Sequence, residues 1–354
     1  MEIGDNNRSV FAAPKNRPKG MDPVVPYQPM LEKRNEALEW VSKTAIKAYY
    51  DSGAYKVTAK ALDLLRRGEV EVPMQGTPGA PLPDVPGGYR VAVIGDMGEG
   101  TASQVKTVEQ IMKWAPTHVA TVGDNVYPFG REKDWAERFD PQYERLRMFT
   151  QWQPALGNHD YYDGNLTPYF NRFPNLQGRA YYTWSLGPAQ FFVLDTEQRL
   201  DGTSAQQAWL AAELAKSTAQ YRVIQMHRPI VGTRSGSVGD DLKGSLGPLL
   251  ARYGVQLVLA GHVHGYERTK PVDGTVYVIT GGGGASTYAY PGRLPEFSAA
   301  RVARHHHLQL SFDATRMIVR AVDDKGAAMD TTTIAPRPTG PIVDAIQGGA
   351  LVSG

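Results

Sequence analysis

From residue 89 onward, apolar runs of strand length alternate with stretches of helical period. Arg90 to Ile94 is a buried-strand pattern that closes on Gly95-Asp96. Thr101 to Trp114 sets Val105, Val108, Ile111 and Met112 on one helical face, with Thr101 or Ser103 as the cap. His118 to Val122 is the next strand and closes on Gly123-Asp124. Strand, helix, strand in that order predicts parallel α/β pairing. Further on the pattern reads as more antiparallel. Tyr181 to Leu186 and Gln190 to Asp195 flank Gly187-Pro188 as a hairpin, and His307 to Phe312 pairs with Met317 to Val322 around Asp313-Ala314. Between these lie a helix at Ala205 to Lys216, a strand at Arg222 to Met226 closing on His227, and a helix at Leu246 to Tyr253. A strand at Gln256 to Ala260 closing on Gly261-His262 and a strand at Thr275 to Thr280 running into four glycines follow.

The chain before this region has another texture. Residues 1–29 are rich in Pro, Asn and Lys and form an irregular arm. Residues 30–70 read as a helical hairpin: Leu31, Leu38, Val41, Ala45 and Tyr49, a break at Asp51-Ser52-Gly53, then Val57, Ala61, Leu64 and Leu65. Its apolar stripe must be buried, against the domain that follows or in an oligomer. Residues 71–88 are dense in Pro and Gly and read as an extended linker, 89–334 as the main folded domain, and 335–354 as a flexible or extended tail.

Composition narrows the chemistry. With 42 % apolar and 21 % charged residues the chain is globular, and a net charge of +2 gives no electrostatic case for nucleic acid. There is no run of membrane-spanning or signal-peptide length, which leads to the expectation of a cytoplasmic protein with no membrane partner. The absence of cysteine removes disulfides, thiolate metal sites and cysteine nucleophiles. Any transition metal must be held by nitrogen or oxygen, which points to iron, manganese or zinc.

Asp96, Asp124, His227 and His262 each follow an apolar strand and one Gly or Met. Functional groups of α/β sheets gather at the carboxyl ends of strands. A fifth block, Gly157-Asn158-His159-Asp160, follows the extended segment Gln153 to Leu156. Carboxylates, imidazoles and an amide on one rim suit phosphate-ester hydrolysis by two metal ions, one carboxylate bridging them.

Gly95-Asp96-Met97-Gly98, Gly123-Asp124-Asn125-Val126-Tyr127, Gly157-Asn158-His159-Asp160, the lone His227, and Gly261-His262-Val263-His264 resemble the five signature blocks of purple acid phosphatases, a branch of the calcineurin-like metallophosphoesterases. The resemblance covers about residues 89–330 and implies an α/β (α+β sandwich) fold of two facing mixed sheets flanked by helices, here with an N-terminal helical extension. It implies that Asp96, Asp124, Tyr127 and His264 hold Fe(III). Asp124 would bridge to a second ion, Fe(II), Zn or Mn, completed by Asn158, His227 and His262. In the implied reaction a metal-bound hydroxide attacks a phosphate monoester and His159 protonates the leaving oxygen. Gly98 stands where many calcineurin-like enzymes have a histidine ligand, and Tyr127 supplies a phenolate instead. The loop after His227 lacks the histidines that family members often carry, so Arg228 or Arg234 is expected to contact phosphate. The expected partner is a phosphorylated small molecule, or alternatively a phosphoprotein or nucleotide.

Other readings compete. A phosphodiesterase or nucleotide pyrophosphatase would use the same metals, and a scaffold would use the fold for binding alone. His305, His306 and His307 look like a metal tract but open an alternating strand. His118 reads as structural. Gly281 to Gly284 lacks the Lys-Ser/Thr of a P-loop and reads as backbone passing close to the metal rim. Tyr161, Tyr162, Tyr288 and Tyr290 either wall the cleft or pack.

Overall fold

A computed structural model describes residues 74–234, 240–287, 290 and 292–337, with the backbone alone for 240–243. The expected arm, the hairpin at 30–70 and residues 338–354 lie outside the described residues. The elements run β1 (Gln75–Gly76), β2 (Tyr89–Ile94), α1 (Ala102–Trp114), β3 (His118–Val122), a π turn (Trp135–Phe139) into α2 (Asp140–Arg147), and β4 (Gln151–Ala155). Next come α3 (Asn158–Tyr161), α4 (Thr167–Arg172), β5 (Tyr182–Leu186), β6 (Ala189–Val193), α5 (Ala205–Lys216), β7 (Tyr221–Gln225) and α6 (Asp240–Arg252). Strands β8 (Leu257–Ala260), β9 (Tyr266–Thr269), β10 (Val276–Thr280), β11 (Ser298–Val302), β12 (His306–Phe312), β13 (Met317–Asp323) and β14 (Ala328–Ile334) complete it.

The strands form two mixed sheets flanked by helices. One has the order β1-β11-β9-β10-β8-β7-β6-β5, the other β14-β13-β12-β2-β3-β4. β2 and β3 are parallel, as expected, and β4 joins them in parallel. The second half is more antiparallel, as expected: β5–β6, β9–β10, β9–β11, β12–β13 and β13–β14 pair antiparallel, while β6, β7, β8 and β10 run parallel. Their burial on both faces explains the near-continuous apolar runs.

Alternation along these strands builds two cores. Phe191, Val193, Val223, Leu257 and Leu259 face the interior between the sheets, together with Val91, Val93, Ala120 and Leu310. Phe192, Leu194, Ile224, Met226 and Val258 point the other way, onto Leu210 and Leu214 of α5 and Leu246 and Leu250 of α6. Gln225 is the polar exception inside: its amide donates to Thr121 O at 2.7 Å and Gln153 O at 2.6 Å, tying the two sheets together.

Helix α1 starts at Thr101, whose Oγ1 accepts the Gln104 N–H at 3.2 Å. Val108, Ile111 and Met112 of the expected face pack on the core, but Val105 does not. Val105 is 38 % exposed, and Gln104 and Thr107 are buried beside Val108 and Ile111. Gln104 tolerates burial because its amide is satisfied, accepting from Gly100 N at 2.7 Å and donating to Arg138 O at 2.8 Å.

Residues 74–88 are extended and lie along both sheets as a strap. β1 pairs with β11, Gly79 N donates to Asp330 Oδ1 of β14, and Val85 is buried with its N–H on Ser311 Oγ of β12. Asp84 accepts from Trp114 Nε1 at 2.8 Å and pairs with Arg320 at 2.9 Å. The sheets are also joined through Asp330, which takes a fork from Arg268 and the Tyr266 hydroxyl. No helix among the described residues is long and apolar enough to cross a membrane.

Candidate metal centre

The carboxyl ends of β2, β3, β4, β7 and β8 meet at one rim, and all seven candidate ligands stand on it. Asp96, Asp124 and His262 have left-handed backbones, with φ of 53°, 48° and 68°. Such conformations are costly outside glycine and cluster at functional sites. Each follows a strand-ending glycine. Gly157 is required by close approach: a Cβ there would lie 2.2 Å from Asp124 N and 2.4 Å from Asp124 Oδ1.

The donor atoms form two overlapping groups. Tyr127 Oη lies 3.2 Å from Asp96 Oδ1, 3.1 Å from Asp124 Oδ2 and 3.0 Å from His264 Nε2. His264 Nε2 is 3.3 Å from Asp96 Oδ1. On the other side, Asn158 Oδ1 lies 3.0 Å from His227 Nε2 and 3.1 Å from His262 Nδ1, and these two nitrogens are 3.3 Å apart. Asp124 Oδ2 also stands 3.3 Å from His227 Nε2, so Asp124 belongs to both groups. Ligands about 2 Å from a shared ion at roughly right angles sit ~3 Å from one another, the spacing found here. Asp124, His227 and His262 each offer an atom within 4.8 Å of the others.

Backbone carbonyls fix the imidazoles. His227 Nδ1 faces Val122 O and His264 Nδ1 faces Ser286 O, both at 2.8 Å. A carbonyl only accepts, so each Nδ1 carries the hydrogen and each Nε2 turns its lone pair inward. Asn158 Nδ2 donates to Tyr162 Oη at 2.8 Å, which turns the amide oxygen toward the cluster. Asp160 accepts from Gly157 N at 2.9 Å, Asn125 Nδ2 at 2.9 Å and Asn125 N at 3.1 Å, locking two signature blocks together.

The field suits cations. Burial would raise the Asp124 carboxyl, yet the His227 and His159 imidazoles hold it far below the carboxylate range. Burial would lower His227, but Asp124 pushes it up to about 9. His262 is driven well below the usual imidazole range by burial and by the Arg228 charge. Seven nitrogen and oxygen donors with fixed lone pairs, two of them carboxylates, fit a pair of hard or borderline ions.

His159 stands beside the cluster. Its Nδ1 faces Pro128 O at 2.8 Å and its Nε2 is 3.9 Å from Asp124 Oδ2. The ring packs between Tyr127 and Tyr162 at centroid distances of 4.2 Å and 4.5 Å. Burial lowers its pKa. Arg228 is at the rim, Nη1 3.4 Å from His262 Nε2, and forms a buried fork with Glu197. Arg234 is half-buried, seven residues after His227 in the loop that follows β7.

The bystanders are placed as well. His306 and His307 are buried within β12, and burial pushes them down to about 4 and about 3. His306 Nδ1 faces Arg304 O and Nε2 faces Thr280 Oγ1. His118 stacks on Trp184. Gly283 passes under the Asp96 loop, where a Cβ would lie 2.5 Å from Gly95 O. Tyr161 bonds to Asp195 and Tyr290 lies under Arg301, while Tyr288 is outside the described residues. Sequence reasoning missed Tyr162 as a partner of Asn158, and also Asp195 and Glu197. The signal for Asp195 was present: the apolar run Phe191 to Leu194 ends on Asp195, as the other strands end on theirs.

A model of the calcineurin-like phosphoesterase family matches residues 89–266. A phosphoenolpyruvate phosphatase of Allium cepa is 27 % identical over 215 residues, 55 % of this chain and 44 % of that protein. Purple acid phosphatase 18 of Arabidopsis thaliana is 28 % identical over 251 residues, 62 % of this chain and 56 % of that protein. The chain thus spans about half the length of these curated relatives. The purple acid phosphatase PPD1 from yellow lupin seeds has the same fold, with a TM-score of 0.65 at 23 % identity, covering 75 % of this chain and 57 % of that one.

Proposed function

Since the chain belongs to the calcineurin-like phosphoesterase family, in its purple acid phosphatase-like branch, we propose that it hydrolyses phosphate monoesters at a dinuclear metal centre. The observation that carries this reading is the double cluster itself: seven donors from five strand ends, lone pairs inward, sharing Asp124. Asp96, Tyr127 and His264 would hold one ion, Fe(III) in view of the phenolate. Asn158, His227 and His262 would hold the other, Fe(II), Zn or Mn, and Asp124 would bridge. When bound, such a pair supplies an activated water and neutralises phosphoryl oxygens.

The chain's own groups do the rest. His159 has its Nδ1 hydrogen committed to Pro128 O, so Nε2 is the atom that delivers a proton to the leaving oxygen. Tyr127 and Tyr162 hold the ring in place and keep water from its faces. Arg228, and Arg234 in a second rank, offer guanidinium hydrogens to the phosphoryl group. The substrate class is a small phosphorylated metabolite, in line with the phosphoenolpyruvate phosphatase among the relatives.

Metal analysis combined with assays on a monoester and a diester of one leaving group tests this. Two ions per chain with monoesterase activity is the expected result. Metal-free protein, or diester activity alone, would overturn it. Iron-loaded protein should absorb in the visible through Tyr127, and Tyr127→Phe should bleach that band without altering the fold.

A further inference from the structure

At the rim beside His262, Arg228 and Glu197 form an ion pair that is almost wholly buried, 6 % and 4 % exposed. Arg228 uses Nε and Nη2 for the two Glu197 oxygens, which leaves Nη1 facing His262 Nε2 at 3.4 Å. Glu197 is itself held: its N–H donates to Asp195 Oδ1 at 3.0 Å, and Asp195 is anchored by the Tyr161 hydroxyl and Gln198 Nε2. Arg228 N donates to Thr196 Oγ1 at 3.1 Å. The arginine is fixed at backbone and head alike.

A buried pair of this kind rarely improves stability over an apolar pair of equal volume. Its location suggests a task. His262 turns Nδ1, not Nε2, toward Asn158 Oδ1 and His227 Nε2. If Nδ1 is the ligand atom, Nε2 must carry the hydrogen, and it then cannot accept from Arg228 Nη1. The Nη1 hydrogens are left facing the rim with no acceptor in His262. An anion entering beside the ions would provide one.

We propose that Glu197 is a positioning residue: it locks Arg228 so that Nη1 meets a phosphoryl oxygen of the substrate, and it cancels the arginine charge beside the His227/His262 cation site. This rests on the metallophosphatase reading above. Glu197→Gln should then do two things at once, loosening the fork and leaving a bare positive charge next to the ion. Arg228→Met should remove the phosphoryl contact and leave the Glu197 charge uncancelled, a negative charge beside the ion that does not weaken zinc.

The test is calorimetric titration of inorganic phosphate into full-length protein loaded with iron and zinc, with metal content, melting temperature, kcat and KM measured for each variant. Loss of one charge-assisted contact should weaken phosphate about 10- to 100-fold in Arg228→Met and raise KM more than it lowers kcat. Arg228→Lys, which keeps the charge but lacks the fork, should not restore affinity. Glu197→Gln should weaken phosphate similarly and also lower zinc content. The double variant should regain zinc while phosphate stays weak, a recovery that a merely structural pair would not give. Phosphate affinity unchanged in Arg228→Met or in metal-replete Glu197→Gln overturns the proposal, as does a double variant no better in zinc than Glu197→Gln. If Glu197→Gln does not fold, Glu197→Asp, with its shorter reach, must weaken phosphate for the proposal to stand. If the loaded wild type binds no phosphate at all, it is the metallophosphatase reading that fails.

Discussion

Asp124 is the residue on which the site turns. One oxygen accepts the His159 N–H at 2.8 Å, and the other faces Tyr127 on one side and His227 on the other. Asp124→Asn should therefore empty both positions, whereas Asp96→Asn should chiefly weaken the Tyr127/His264 position; metal stoichiometry distinguishes them, and full occupancy in the Asp124 variant refutes the bridge. His159→Ala should lower kcat by ~10²–10⁴-fold with both ions retained, more for alkyl than for activated aryl phosphates. Asp195 gives a prediction about pH. Burial pushes its carboxyl up to about 7, so the folded chain keeps a proton that the unfolded chain, near 3.9, releases. The Asp195 contribution to stability then falls as pH rises from about 4 to about 7 and levels off above. Asp195→Asn should make that decline shallower in chelator-treated protein, and Asp160, raised to about 7 as well, leaves a residual slope; an unchanged profile in denaturant melts refutes it. At this scale the ligand positions were legible because each stands next to a strand end and needs only its own neighbours to be recognised. Tyr162 and Glu197 were not, because their roles come from partners on other elements.

Among the elements, the strand ends and the loop after β10 do most to shape the site. Gly283 leaves no room for a side chain: Gly95 O at 2.5 Å and Ile94 Cγ1 at 2.6 Å would meet it. Gly283→Ala should push the Asp96 loop outward, lowering iron content and the visible band before it affects zinc. Gly244→Ala in α6, where a Cβ meets nothing within 4 Å, should instead stabilise the protein by ~1 kcal/mol. Equal melting shifts for the two variants would refute this contrast. Strands buried on both faces were readable from their apolar runs. β14 was not, because Ala-Met-Asp-Thr-Thr-Thr-Ile carries a buried aspartate whose partner Arg268 is 62 positions away. β9 and β11 are four and five residues long and carry Arg and Glu within their span. Nor does a strand's own sequence disclose whether its neighbour runs parallel, since that is decided by connections passing over the sheet.

The whole molecule is closed by the strap. A chain starting at Pro86 loses β1, the Gly79–Asp330 bond, the Asp84 pairs and the buried Val85, which should cost about 3 kcal/mol or more. A chain starting at Met74 keeps all of these and isolates the contribution of the hairpin expected at 30–70; only if that stripe docks should its melting point or KM differ from full length. Equal melting of the two truncations would show that the strap adds nothing. Composition marked residues 71–88 as a linker because Pro and Gly suit extended backbone, and extended backbone is also what a strap needs. Only the buried Val85 and the partners of Asp84 separate the two. Synthesis order gives the strap a further consequence. Val85 and Gly79 wait for acceptors 226 and 251 positions downstream, and β2 can pair with β12 only once residue 312 exists. A nascent chain can pair β2 with β3 early, but β1 and the other edge of β2 stay without their native partners until β11 and β12 have been made. Closure waits on the last strands, a step of high contact order and slow by nature, and the interval before it is when this protein most depends on chaperones.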